Sequence, residues 1–82
     1  MSGWLRVVGI GPGPADWMTP EACAAIAAAS DVVGYSTYVD RLALAPAQKR
    51  HASGNGDELQ RAQHALELVQ QGAKVALISG GD

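Results

Sequence analysis

Apolar residues along this chain fall into three short continuous runs, separated by stretches with a helical repeat. The runs are residues 4–10 (WLRVVGI), 31–35 (DVVGY) and 74–79 (KVALIS). An unbroken apolar run of this length is typical of a strand covered on both faces, as in a parallel sheet. The pattern therefore predicts three buried strands.

The first helix is predicted between the first two strands, from Thr19 to about Ala29. Thr19 suits the N-cap, Pro20 the first helical position, and Glu21 the positive end of the helix dipole. Ser30 closes the helix, and the second strand follows at once. A strand, a helix and a strand within so short a stretch indicate a parallel pair joined by a right-handed crossover.

A second helix is predicted after the turn at residues 53–56 (SGNG). Asp57 is the predicted N-cap, with Gln60 three residues later as in a capping box, and Gly72 occupies the position that ends a helix. Apolar residues at helical spacing form its predicted buried stripe, which consists of Leu59, Ala62, Leu66 and Val69. The third apolar run follows directly.

Two segments between these elements have weaker patterns. Residues 36–46 predict one short helix that ends before Pro46, and residues 48–52 (QKRHA) predict a brief edge strand. Alternation of strands and helices predicts an α/β fold with an open, mostly parallel sheet and flanking helices. Because the pattern stops after a strand and a glycine turn, we expect residues 1–82 to be the N-terminal part of a longer protein. A compact mini-domain is the alternative.

The composition is that of one small globular domain. Of the 82 residues 48% are apolar and 17% are charged, and the net charge is −2. The six basic residues are spread along the chain, so nucleic acid is not the expected partner. No window has the length of a membrane span or the pattern of a signal peptide, and we expect a soluble, cytoplasmic protein.

The remaining chemically active side chains predict no metal site. A single cysteine, Cys23, excludes an internal disulfide and is expected to be a small core residue. His51 and His64 have no cysteine, histidine or acid at metal-ligand spacing, so both are expected to be solvated. Trp4 and Trp17 flank the first strand and its loop, where packing is the expected role.

The first strand is followed by a loop of three glycines and two prolines at residues 9–16 (GIGPGPAD). Its spacing does not match the dinucleotide fingerprint GxGxxG, because the third glycine would fall at Pro14. Pro12 and Pro14 also lack the N–H groups that a phosphate cradle uses. We therefore expect a loop that another group approaches closely along a path fixed by the prolines; a plain tight turn is the alternative.

A second glycine turn follows the last apolar run, with Gly80, Gly81 and Asp82 in succession. In open parallel sheets, ligands bind outside the carboxyl ends of the strands. Two such loops in one chain predict a shared crevice. Its glycines would admit a ligand to the backbone, and Asp82 would accept a hydrogen bond from a ribose or an amine.

Three segments in this order resemble the tetrapyrrole methylases. They are residues 8–22 (VGIGPGPADWMTPEA), 30–40 (SDVVGYSTYVD) and 57–82 (DELQRAQHALELVQQGAKVALISGGD). Together they cover nearly the whole chain, and the combination is specific where each segment alone is not. The pattern GYxTYxD at residues 34–40 is most similar to the members that methylate C17 of precorrin-3B as the macrocycle contracts.

The resemblance implies a two-domain α/β enzyme of cobalamin biosynthesis, usually a homodimer. Such an enzyme holds S-adenosylmethionine and a tetrapyrrole (precorrin) substrate in the cleft between its domains. The family's first domain has five strands in the order 3-2-4-1-5, and four of them are predicted here. We therefore expect this piece to be inactive alone, with its first strand left as an apolar edge that associates with other chains.

The resemblance also implies site residues by position. The cofactor contacts of the family match Pro12, Gly80, Gly81 and Asp82. The region that faces the tetrapyrrole matches Tyr35, Ser36, Thr37 and Tyr38.

Two departures from the family pattern bear on the catalytic group. The commoner GPGD of relatives is GPGP here, with Asp16 two residues later. Ser36 stands where the uroporphyrinogen-III methylases carry an aspartate proposed for proton removal. The catalytic base is therefore left unassigned, with Asp16 and Asp40 as possible helpers.

Alternatives to C17 methylation remain open. Within the family, the alternative is a member that methylates C20 or C11 of a precorrin. From another class, the alternative is a stand-alone nucleotide-binding or interaction module.

Overall fold

Four parallel strands form one open sheet in the computed structural model, which describes residues 3–11, 18–54 and 56–80. The strands are β1 (Trp4–Gly9), β2 (Asp31–Tyr35), β3 (Lys49–Ser53) and β4 (Lys74–Ser79). Their order is β1-β4-β2-β3. The predicted α/β class is confirmed, and the order agrees with strands 3-2-4-1 of the family sheet.

Three helices accompany the sheet: α1 (Pro20–Ala28), α2 (Ser36–Val39) and α3 (Glu58–Gln70). As predicted, Thr19 caps α1, because its Oγ1 accepts a hydrogen bond from the Ala22 N–H at 3.1 Å. Gly72 follows α3 with a φ of 93°, the left-handed conformation that glycine adopts at a helix end. Asp57 is the N-cap of α3, but its side chain makes no capping hydrogen bond. No helix in the described ranges is long and apolar enough to cross a membrane.

The helices bury the sheet on both faces. On one face α1 packs on β1 and β4, and α2 packs on β2 and its neighbours, with Ile26, Val32, Val39 and Ile78 in one apolar cluster. On the other face α3 packs over Val33 and Val75, and Ala65 is its fully buried residue. Alternate residues of β2 thus point to opposite faces, as the pleat requires.

The predicted stripe of α3 is wrong at two of its four residues, although Val69 packs against the buried cluster as predicted, and the predicted core position of Cys23 is wrong. Leu59 and Leu66 of the predicted α3 stripe are 72% and 52% exposed, whereas Ala65 is buried. The small Ala65 side chain lies against the sheet where the two leucines do not. Cys23 is likewise exposed rather than in the core, because α1 presents Ala22 and Ile26 to the sheet instead.

The first strand differs from the prediction of a strand buried on both faces. β1 lies at the edge of the sheet, and among the described strands it pairs with β4 alone. Val7 is 68% exposed as a result. Trp4 packs against the apolar cluster, as expected.

The amino ends of three strands are tied together at Ser30. Its hydroxyl accepts a hydrogen bond from the Lys74 N–H at 3.0 Å, and its carbonyl accepts one from the Lys49 N–H at 3.0 Å. The Ser30 N–H donates to the Lys74 carbonyl at 2.8 Å. These bonds link the start of β2 to both neighbouring strands and leave the carboxyl ends of the strands for the loops.

Candidate functional site

The loops that follow β1 and β4 leave the sheet side by side. Gly9 is the register partner of Ser79, and the Ile10 N–H donates to the Ser79 carbonyl at 3.1 Å. The backbone therefore enters both loops at the same carboxyl edge, up to Gly11 and Gly80. Of the predicted site residues, Pro12, Gly81 and Asp82 lie outside the described residues, as does Asp16. Their roles stay predictions.

Gly11 is required by its backbone conformation. Its φ is 72°, which L side chains rarely adopt, and none of the described residues comes within 4 Å of the point where a Cβ would stand. No residue of the described ranges thus fills the side-chain face of Gly11, which is compatible with a group approaching the backbone.

Gly80 is required for a different reason. A Cβ at this position would lie 2.6 Å from the Tyr38 Oη and 2.8 Å from Cζ of the same ring. The protein's own phenol therefore fills the space on the side-chain face of Gly80. The role of Gly80 in admitting a ligand to the backbone stays a prediction.

The segment predicted to face a tetrapyrrole directly follows β2. Tyr35 ends the strand, and α2 begins at Ser36. The rings of Tyr35 and Tyr38 meet edge to face with centroids 5.2 Å apart, and the Arg41 guanidinium lies 5.3 Å from the Tyr38 centroid. Thr37 is exposed, whereas Ser36 and both tyrosines are half-buried. The structure brings this segment to the loop after β4 through Tyr38.

Asp40, one of the possible helper acids, pairs with a cation. Its Oδ1 accepts from the Arg50 guanidinium at 3.3 Å, and both side chains are well exposed. Arg50 also donates to the Val39 carbonyl at 3.4 Å. Because both side chains are exposed, solvent screens their attraction, and the ion pair contributes little to stability.

A polar cluster formed by Asp31, His51 and His64 lies on the other face of the sheet, where α3 packs. Asp31 is buried, and its Oδ2 lies 2.7 Å from His51 Nε2. The His51 and His64 rings are perpendicular with centroids 4.8 Å apart. The expectation of a solvated side chain is therefore wrong for His51, which is half-buried and paired with Asp31, but it holds for His64, which is exposed. A groove of about 420 Å³ beside them is also lined by Ser53 and Arg61.

The ionised form of Asp31 is favoured in the fold. Burial raises the pKa of this carboxyl, but hydrogen bonds from Ser30 and His51 and the positive charges of His51 and Lys49 outweigh it. The pKa is therefore lowered from its ordinary value of 3.8. The Ser30 hydroxyl donates to Asp31 Oδ1 at 2.7 Å. In the described part of the chain, no three side chains of metal-ligand type are grouped so as to hold a metal ion.

Sequence spacing gave no sign of this cluster, because its members come from three elements. Only the register of β2 and β3, in which Val33 is paired with His51, brings Asp31 and His51 to one face. The cluster and Tyr38 lie on opposite faces of the sheet, since Tyr38 packs against the apolar cluster shared with α1.

Comparison with known proteins identifies the family to which the chain is similar. A sequence profile described as Tetrapyrrole (Corrin/Porphyrin) Methylases matches residues 5–82. A Precorrin-3B C(17)-methyltransferase from Sinorhizobium sp is 55% identical over 82 residues, which are 100% of this chain and 32% of that protein. The Cobalamin biosynthesis protein CobIJ from Mycobacterium tuberculosis is 48% identical over 82 residues, covering 100% of this chain and 16% of that protein.

A solved structure agrees with the sequence comparisons. The crystal structure of the methyltransferase CobJ superposes with a TM-score of 0.91 at 48% identity, over 99% of this chain and 34% of that one. The chain thus spans about a third or less of the length of these relatives. The profile match over nearly all residues and the shared fold establish that the chain belongs to the tetrapyrrole (corrin/porphyrin) methylase family.

Proposed function

We propose that this chain serves in the S-adenosylmethionine-dependent C-methylation of a corrin precursor, with methyl transfer to C17 of precorrin-3B and ring contraction. One observation carries the proposal: over its whole length, the chain shares 55% sequence identity with a protein named Precorrin-3B C(17)-methyltransferase. In the proposed enzyme, residues 1–82 are the N-terminal, cofactor-side domain. We propose that the complete enzyme also has a second domain, forms a homodimer and acts in the cytoplasm.

The described residues fit a nucleoside cofactor at the carboxyl edge of β1 and β4. Among the described residues nothing fills the side-chain face of Gly11, and the loop after β4 begins beside it. Pro12, Gly81 and Asp82 are the further residues that we propose to hold the cofactor. When bound, S-adenosylmethionine supplies the electrophilic methyl group of its sulfonium.

The tetrapyrrole is assigned to the segment after β2. Tyr35, Ser36 and Thr37 stand at the same carboxyl edge, where Thr37 is exposed and Tyr35 is half-buried. Holding the acceptor carbon in line with a transferable methyl group supplies a large part of the acceleration in such a reaction. We therefore assign positioning to these residues and no catalytic base.

A chimera tests the proposal. These 82 residues would replace the matching residues of the Sinorhizobium Precorrin-3B C(17)-methyltransferase, and the chimera would be assayed with methyl-labelled S-adenosylmethionine and precorrin-3B. We expect label in the product, located at C17 by NMR. Label at C20 or C11 would instead favour the alternative members of the family. A folded chimera that neither binds S-adenosylhomocysteine nor transfers the methyl group would contradict the proposal.

Single substitutions in the same chimera test the cofactor residues. Asp82→Asn removes the charge of the proposed acceptor, and we expect the Kd for S-adenosylhomocysteine to rise about fivefold or more. Glu67→Gln is the matched control, because Glu67 is an exposed acid of α3. Micromolar binding of S-adenosylhomocysteine by the 82-residue chain alone would favour a stand-alone nucleotide-binding module.

A further inference from the structure

Tyr38 contacts Gly80, although about half of the chain lies between these two residues. The residue lies in α2, directly after β2, while Gly80 directly follows β4. β2 and β4 are neighbours in the sheet. The space that a side chain at Gly80 would need is occupied by the Tyr38 ring, whose Oη, Cζ and Cε2 lie 2.6, 2.8 and 3.1 Å from the Cβ position.

The Tyr38 ring is itself held in place. It meets the edge of Tyr35, carries the Arg41 guanidinium over its face, and packs against the apolar cluster that includes Val39 and Ile78. A half-buried ring with three such neighbours does not rotate aside at low cost. The backbone at Gly80 therefore rests against a fixed surface.

We propose that Tyr38 is a positioning residue for the cofactor rather than a residue of the tetrapyrrole surface. Its ring fixes the backbone at Gly80, where the predicted turn of residues 80–82 begins, and glycine is required at position 80 so that the backbone and the ring are in contact. Tyr35 and Thr37 remain for the tetrapyrrole. This inference rests on the proposed function, because that function makes the turn a cofactor site.

The contact predicts a specific pattern of cofactor affinity in the chimera described above. Gly80→Ala places a methyl group against the ring and displaces the backbone at residue 80, and we expect the Kd for S-adenosylhomocysteine to rise at least about tenfold. Tyr38→Ala removes the support and is expected to raise it by a similar factor. Tyr38→Phe retains the ring, and we expect the Kd to stay within about twofold of the unsubstituted value.

The double variant is the sharpest measurement. With the ring removed by Tyr38→Ala, the methyl group of Gly80→Ala has room, so the second substitution should change the Kd by less than about twofold. Gly54→Ala is the matched control, because among the described residues its Cβ would meet only Asp57 Oδ2, at 3.5 Å. In the Gly80→Ala and Tyr38→Ala single variants, the KM for S-adenosylmethionine should rise as well, whereas the KM for precorrin-3B should not.

The outcomes distinguish this inference from the proposed function. An unsubstituted chimera that binds no S-adenosylhomocysteine overturns both. A chimera that binds, with Tyr38→Ala leaving the Kd unchanged at a temperature where the variant is folded by circular dichroism, overturns the inference alone. An effect of Gly80→Ala that is equal with and without the ring, or a KM increase for precorrin-3B only, overturns it too.

Discussion

At the scale of single residues, the buried carboxyl of Asp31 makes the stability of the fold depend on pH. Asp31 is the one buried charged side chain of residues 3–11, 18–54 and 56–80. Folding lowers its pKa, so its ionised form stabilises the fold at pH values above the unfolded pKa. This contribution is lost as the pH falls through the folded value. We therefore expect the free energy of unfolding to decrease on acidification below about pH 4.

Asp31→Asn tests this prediction. We expect the substitution to lower the free energy of unfolding at pH 7 by about 1–3 kcal/mol, because hydrogen bonds to a charged group are stronger than those to an amide. The difference from the unsubstituted chain, measured by urea unfolding, should shrink between pH 5 and pH 3. Asp40→Asn is the control: its pair with Arg50 is exposed, and we expect a loss below about 1 kcal/mol. Equal pH profiles for Asp31→Asn and the unsubstituted chain would refute the role of Asp31.

At the scale of elements, a glycine in the middle of the sheet fixes how closely α2 packs. A Cβ at Gly34 of β2 would lie 2.9 Å from Ile78 Cβ and 2.9 Å from Val39 Cγ2, both in buried residues. We expect Gly34→Ala to lower the free energy of unfolding by about 1–3 kcal/mol, although an alanine usually suits a strand better than a glycine. Gly54→Ala meets no such neighbours and should change stability by less than about 1 kcal/mol. Denaturant titration of both variants checks the prediction; equal stabilities would contradict it.

Local sequence signals predicted where the helices and strands lie better than they predicted which face of each is buried. Thr19 and Gly72 act through hydrogen bonds and dihedral angles of their own helix ends, so the sequence alone could assign them. The buried face of α3 could not be assigned in this way, since Ala62, Ala65, Leu66 and Val69 offer more than one apolar stripe. Which stripe is buried depends on the sheet beneath. The contact of Tyr38 with Gly80 requires the strand order, which no local pattern contains and which only the family resemblance supplied.

At the scale of the whole molecule, β1 is an apolar edge. Its backbone pairs with β4 on one side, and Val7 is 68% exposed. Exposed apolar edges associate with other strands, so we expect the 82-residue chain to sediment as concentration-dependent oligomers. Val7→Lys should shift it toward the monomer. Leu59→Lys is the matched control, since Leu59 is 72% exposed but lies on a helix whose backbone is already bonded. A clean monomer at high concentration for the unsubstituted chain would contradict the prediction.

The strand order also governs when this sheet can assemble on the ribosome. β4 is the last of the four strands in the chain, yet it lies between β1 and β2. Until Lys74–Ser79 has left the exit tunnel, the earlier strands β2 and β3 can pair only with each other, and β1 has no neighbour. The nascent chain therefore exposes its apolar first strand from the synthesis of β1 until β4 has emerged, which is the period when a chaperone would have to protect it.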